Sequence, residues 1–331
     1  MVGKAESHGR VVHEARYVLG TEQGELHRLG LQQQVWSAEA RRSVVVGYRR
    51  TDRNKMYAAA RLLLAALLVG GVSAAASGVD ERPRMPTAPL EVLFVGNSLT
   101  YVGNTPAVFD ALTRASGRPS SSDMIVQGGA TLADRVADGS VERAFARKRY
   151  AVLVLQERGG DLDCSVAVAA CHRSREAITV LVGLARQAGA AVYLLGTYQA
   201  HPYFSKEIVA AESAAASDVG IGYVEVSESL QRYRAESPDI GWIAPDGMHP
   251  GPALTLLSAV LLHRAVLGAW PQPVAFTVGA PIYGTSSGLT PEVRGAADPP
   301  PIDTTPRAID YPAETLRRLL RSVVELDHVN P

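Results

Sequence analysis

Two cysteines in 331 residues are too few for a disulfide-rich scaffold or an iron–sulfur protein. The chain also lacks any excess charge, with 33 Lys plus Arg against 33 Asp plus Glu. That balance argues against a nucleic-acid binder working through a broad basic face. Aromatic residues are scarce at 6%, so Ala, Val and Leu carry the apolar content. The apolar run Leu62–Val72, about eleven residues, is short of the ~20 needed to span a bilayer. What is present is a full core: 47% of residues are hydrophobic and only 20% charged, which excludes disorder across the whole chain. The length fits one domain of about 200–250 residues with additions, or two smaller ones.

The zero net charge conceals an asymmetry. Residues 1–55 contain ten Lys/Arg and six Asp/Glu, a net of +4, which leaves 23 and 27, a net of −4, for the remainder. The first 55 residues therefore read as a separate N-terminal extension. Residues 56–77 (MYAAARLLLAALLVGGVSAAAS) place Arg61 before the apolar run and small residues after it, the layout of a secretory signal peptide. Met56 is then the expected initiator, with a signal anchor behind a cytoplasmic tail as the alternative. The expectation is an exported protein, secreted or periplasmic, that meets the membrane only through this segment. Residues 78–88 form a Pro-rich linker. In an oxidising compartment Cys164 and Cys171 pair by default; free thiols are the competing outcome, and a metal site lacks further ligands at suitable spacing.

Five short apolar runs read as buried strands: 91–95, 123–127, 150–155, 190–195 and 221–226. Helical stretches lie between them or follow them. Asn104-Thr105-Pro106 starts one that Gly117 stops, and others cover 174–188, 205–219 and 254–267. The alternation predicts right-handed βαβ crossovers, a parallel sheet covered on both faces, and one α/β domain over 89–270. Residues 271–331 read as a Pro/Gly-rich tail ending in a helix over 313–326.

In open parallel sheets ligands bind beyond the carboxyl ends of the strands. Gly96-Asn97-Ser98 follows the first strand, Gly128-Gly129 the second, and Gln156-Glu157-Arg158 ends the third. Asp246-Gly247-Met248-His249-Pro250 precedes the long apolar helix. One rim thus gathers Ser98, Asp246 and His249, the parts of a nucleophilic triad. The serine hydroxyl needs a base, which His249 supplies, and the imidazole needs a carboxylate to fix its tautomer. Asp246 lies three residues before His249, so one tight turn presents both. The N–H groups of Ser98 and Gly129 are candidate oxyanion donors.

The blocks FVGNSLTY, GGATL and PDGMHPG, in this order, resemble those of SGNH/GDSL hydrolases over about 89–270. The resemblance implies a three-layer α/β/α, flavodoxin-like fold with a five-stranded parallel sheet of order 2-1-3-4-5. It implies Ser98 as nucleophile, Asp246 and His249 as its partners, Gly129 as an oxyanion donor, and ester hydrolysis without cofactor or metal. One block departs. The family usually adds an Asn from a Gly-x-Asn-Asp stretch after strand three, where this chain reads LQERGGD. Gln156 is the expected substitute, with Arg158 as the alternative donor.

Each residue also has a plainer role available. Ser98 could be a helix N-cap, Gly128-Gly129 a turn, Asp246 a cap, and Gln156 a satisfied core amide. Asn97 could hydrogen-bond near the nucleophile turn. His201 either lines the pocket or sits on a surface loop, while His172, His263 and His328 read as surface residues. The expected function is an exported serine esterase acting on a small-molecule or carbohydrate O-acyl ester, with no nucleic-acid partner. An acyltransferase with the same triad and a non-catalytic binding module are the alternatives.

Overall fold

A computed structural model describes residues 88–199, 202–285, 287–302 and 308–327. The N-terminal extension, the signal segment, nearly all of the linker, His201 and His328 lie outside the described residues. β1 (Leu90–Gly96) shows why a near-continuous apolar run makes a strand here. Side chains alternate across a strand, so Val92 and Phe94 enter one apolar cluster while Leu93 and Val95 enter another. Both faces are buried, as in a sheet flanked by helices on each side.

The other parallel strands are β2 (Ser120–Val126), β3 (Val152–Leu155), β4 (Ala191–Leu195) and β5 (Gly222–Val224). Their order across the sheet is β2-β1-β3-β4-β5, all pairs parallel. This is the 2-1-3-4-5 order of a flavodoxin-like fold. Nine helices are described: α1 (Ser98–Tyr101), α2 (Thr105–Ala115), α3 (Leu132–Asp138), α4 (Ser140–Arg147), α5 (Val168–Gln187), α6 (Pro202–Asp218), α7 (Ser227–Glu236), α8 (Pro252–Leu267) and α9 (Ala313–Asp327). Residues of α2, α7, α8 and α9 pack on the Val92/Phe94 face; residues of α3, α4, α5 and α6 pack on the Leu93/Val95 face. The result is a three-layer α/β/α sandwich.

The region after 270 is more than a tail. Residues from Ala88 onward fall in one compact unit. β6 (Phe276–Val278) pairs antiparallel with β8 (Ile309–Tyr311), and β7 (Arg294–Gly295) adds an antiparallel sixth strand beside β2. Tyr283 is 1% exposed, and its carbonyl accepts from Gly103 N–H. Asn104, in the left-handed region at φ 55°, caps α2 through Oδ1 and donates through Nδ2 to the carbonyls of Pro281 and Ala296. The segment therefore straps the start of α2. Its few large apolar residues follow no period, which is why its sequence reads as irregular.

His263 departs from its expected surface position. It is buried in α8, which is apolar on almost every face, and Nδ1 lies 2.8 Å from the carbonyl of Ala269. Burial holds its imidazole below the ordinary value. His172 is exposed, as expected. Cys164 and Cys171 form a disulfide at the entry to α5.

Candidate active site

Gly96 ends β1 because a side chain there has nowhere to go: an added Cβ would collide with Thr100 Oγ1 and crowd the carbonyl of Gln156. Asn97 then caps α1, its Oδ1 accepting from Leu99 N–H at 3.0 Å. Ser98 is thereby the first residue of the helix rather than its cap. It is 8% exposed, and among the described residues no group accepts its backbone N–H. Asn97 Nδ2 is also buried without a hydrogen-bond partner.

The second half of the site is a tight loop ahead of α8. Ile243 and Pro250 form an antiparallel bridge, and Ala244 N–H donates to the carbonyl of His249 at 2.9 Å. Asp246 Oδ1 accepts from the N–H groups of Met248 (2.9 Å) and His249 (3.0 Å), while Oδ2 lies 2.7 Å from His249 Nδ1. Asp246 is thus both the cap of its turn and the partner of the imidazole. Partial burial pushes its carboxyl upward, but the two backbone N–H groups and the imidazole outweigh that and hold it below its ordinary value. His249 is 1% exposed, and Nε2 is buried with no hydrogen-bond partner among the described residues. The imidazole is fixed at one nitrogen and open at the other.

Two contacts bring this loop to the strand ends. Tyr198, just past β4, donates its hydroxyl to the carbonyl of Met248 at 2.8 Å. The first turn of α8 lies against the end of α1, where an added Cβ on Gly103 would collide with Thr255 Oγ1. The loop after β2 reaches the same rim. An added Cβ on Gly128 would lie 3.1 Å from Tyr101 Oη, so this loop passes directly over α1. Gly129 has φ 69°, the left-handed region that favours glycine, and nothing among the described residues accepts its N–H. The two backbone donors named from the sequence are therefore both unengaged.

The LQERGGD stretch divides its labour differently from expectation. Gln156 is 3% exposed; its Oε1 accepts from Thr100 Oγ1 at 2.6 Å and its Nε2 donates to the carbonyl of Gly196 at 3.3 Å. The amide thus has a partner at each end within the core, and one of the two Nε2 hydrogens is committed to Gly196. The longer stem carries the amide past the rim and into the packing between α1 and β4. Glu157 is buried and accepts from the N–H groups of Arg158 (2.8 Å) and Leu132 (3.3 Å). Burial raises its carboxyl to about 7. Arg158 donates through Nε to Asp161 at 2.8 Å and through Nη1 to the carbonyl of Gly129 at 3.4 Å, so it braces the Gly129 loop from behind.

Sequence reasoning named Ser98, Asp246, His249, Gly129 and Gln156, of which the structure brings Asp246 and His249 into direct contact. It missed the roles of Thr100, Tyr198 and the strap over Asn104, which depend on partners about 50 to 190 positions away. The only local signal was Asn104, a polar residue directly before Thr-Pro.

No protein-family model matches the sequence, and no curated protein matches it. Solved structures do resemble it. A proposed SGNH hydrolase from Slackia heliotrinireducens is 25% identical over 54% of this chain and 98% of its own, with a TM-score of 0.43. An acetylxylan esterase from Geobacillus stearothermophilus is 14% identical over 55% and 96%, with a TM-score of 0.42. A DUF4886 family protein from Bacteroides uniformis is 15% identical over 72% and 96%, with a TM-score of 0.47. All three scores lie below 0.5, so the function of this chain has to be read from its own site.

Proposed function

We propose that this chain is a serine ester hydrolase of the SGNH/GDSL type, exported, and acting on O-acyl esters with a short acyl group. The observation that carries the reading is His249: Nδ1 is 2.7 Å from Asp246 while Nε2 is buried and, among the described residues, unpartnered. Were the loop only a turn, nothing would require an imidazole shut from water with one nitrogen left open.

The chemistry follows from these groups. Ser98 Oγ attacks the ester carbonyl carbon as His249 Nε2 takes its proton, and Asp246 stabilises the imidazolium. The carbonyl π-electrons move to oxygen, and the N–H groups of Ser98 and Gly129 receive that oxyanion. Collapse breaks the carbon–oxygen bond of the alcohol, which leaves with the proton from His249. Water, deprotonated by the same nitrogen, then cleaves the acyl-serine to release the acid. Ser98 lies only 8% exposed, which favours a slim acyl group over a bulky one. The Cys164–Cys171 disulfide supports export to an oxidising compartment.

Hydrolysis of p-nitrophenyl acetate by the full chain and by Ser98→Ala tests the reading, together with labelling by a fluorophosphonate. We expect turnover and labelling at Ser98, both lost in the variant. Labelling that persists in Ser98→Ala overturns it.

A further inference from the structure

We propose that Glu157 is a positioning residue for the reaction: it fixes the far end of the loop whose Gly129 N–H is the oxyanion donor of the esterase reading. The inference rests on that reading and deepens it. The loop after β2 is short and turns tightly, with Ala130 N–H donating to the carbonyl of Gln127 at 3.2 Å. Only Ala130 and Thr131 separate Gly129 from Leu132, the first residue of α3. Whatever holds Leu132 N–H therefore limits where Gly129 N–H can point.

Glu157 holds it. Its side chain is 1% exposed, just past the end of β3, and Leu132 N lies 3.3 Å from each carboxyl oxygen. Oε1 also accepts from Arg158 N–H at 2.8 Å, and the hydroxyl of Ser174 on α5 donates to the same group. Donors from α3, from α5 and from the end of β3 thus converge on one side chain. A carboxylate has the acceptor sites to serve all of them, which a hydroxyl does not. The next residue takes the other end of the loop, where Arg158 Nη1 reaches the carbonyl of Gly129 at 3.4 Å. Two adjacent residues, one accepting and one donating, hold the segment from Gly129 to Leu132 at both ends.

Satisfying one N–H does not account for this arrangement. Taking a carboxyl out of water is costly, and the charge of nearby Asp161 adds to the cost. The start of α3 already has a cap in Thr131, whose Oγ1 accepts from Asp134 N–H at 3.2 Å. What Glu157 adds is a fixed distance between β3 and the loop. Without it Leu132, which is wholly buried, has an N–H with no acceptor, and the segment must shift to find one. A catalytic group misplaced by about 1 Å can cost on the order of 10²-fold in rate.

The test is hydrolysis of p-nitrophenyl acetate by the full chain, by Glu157→Gln and by Glu157→Asp, with kcat counted per Ser98 labelled by a fluorophosphonate. Glutamine keeps the stem length and an acceptor oxygen but no charge. Aspartate keeps the charge and withdraws it by one methylene. Positioning predicts that Glu157→Gln stays within ~3-fold of wild type while Glu157→Asp loses at least ~10-fold in kcat, with KM within about two-fold for both. A trifluoromethyl ketone, which places an oxyanion on Ser98, should bind Glu157→Asp more weakly by a similar factor. Where Glu157→Asp does not fold, Ser174→Ala, which frees one side of the carboxyl, should lower kcat by roughly 3-fold without raising KM. Glu157→Asp more active than Glu157→Gln would mean that the charge itself is used, and overturns the proposal. So does a kcat unchanged in every folded variant while only the melting temperature falls, an outcome that leaves the esterase reading standing. A wild-type chain that neither turns over the ester nor labels at Ser98 strikes instead at the esterase reading, and takes this proposal with it.

Discussion

The hydroxyl of Thr100, two residues past Ser98, donates to Gln156 Oε1 at 2.6 Å, and the same amide donates onward to the carbonyl of Gly196. One buried side chain thus ties α1, which carries Ser98, to the ends of β3 and β4. The amide is a strut beneath the turn that carries Ser98.

Gln156→Ala should therefore act on stability first, costing about 1–3 kcal/mol for a buried amide whose partners are left unpaired. Thr100→Val removes the other end of the bond. Urea unfolding of both single variants and the double should show a coupling of roughly 1 kcal/mol, as expected for residues in contact. Strict additivity would mean that the contact contributes nothing.

Asp246→Asn should separate chemistry from folding. The amide oxygen can still accept from Met248 and His249 N–H, and the Asp246 side chain is 41% exposed, so the melting temperature should move little. The carboxylate that orients His249 is gone, and in a serine triad that loss lowers kcat by up to ~10⁴-fold. Since its hydrogen bonds hold the Asp246 carboxyl below the ordinary value, wild-type enzyme should keep this group ionised at pH 5. Activity of Asp246→Asn within a few-fold of wild type would remove Asp246 from the mechanism.

What the sequence made legible followed from local pattern. β1 could be read because both of its faces are buried, and the Asp246–His249 contact because the two residues share one tight turn. The partners of Gln156 were not legible, because its residue type says only that an amide must be satisfied, not which way a two-methylene stem turns. The answer lay with Thr100 and Gly196, 56 and 40 positions away. β7 and the strap over Asn104 escaped for a related reason. A two-residue edge strand has no period to detect, and its neighbours Tyr283 and Ala296 are buried singly.

Glu212 offers a pH test of the core. It is buried under Thr197, whose N–H and hydroxyl it accepts, and under Tyr223. Burial raises its carboxyl to about 7, from an ordinary 4.5. A carboxyl raised on folding holds its proton longer in the native state. Its contribution to stability is then full below about 4.5 and is lost as pH rises toward 7. Glu212→Gln stays neutral throughout. Relative to wild type, the variant should gain on the order of 1–3 kcal/mol between pH 5 and pH 8, read from urea melts at each pH. Glu157 titrates in the same range but is common to both proteins. A difference between the two proteins that does not change with pH would overturn this account.

Arg158 is the alternative candidate for a third donor, and its contacts point to a different task. Nε is bonded to Asp161 at 2.8 Å, and Nη1 reaches the carbonyl of Gly129 at 3.4 Å. Glycine is the most conformationally free residue, and Gly129, the proposed oxyanion donor, sits at φ 69° with its N–H unengaged among the described residues. A donor stabilises the transition state only if it is already aimed, so a brace on the Gly129 carbonyl is worth rate rather than binding. Lysine keeps the positive charge beside Asp161 but lacks the fork that holds two acceptors at once. Arg158→Lys should therefore lower kcat by roughly 10-fold, with KM within about two-fold and thermal stability close to wild type. If Arg158 instead touched the oxyanion directly, its removal would cost the ~10²–10³-fold typical of a lost oxyanion donor, and Arg158→Met would be far worse than Arg158→Lys. A melting temperature that falls in step with kcat would reduce Arg158 to a structural ion pair with Asp161. A brace on Gly129 predicts that kcat falls alone.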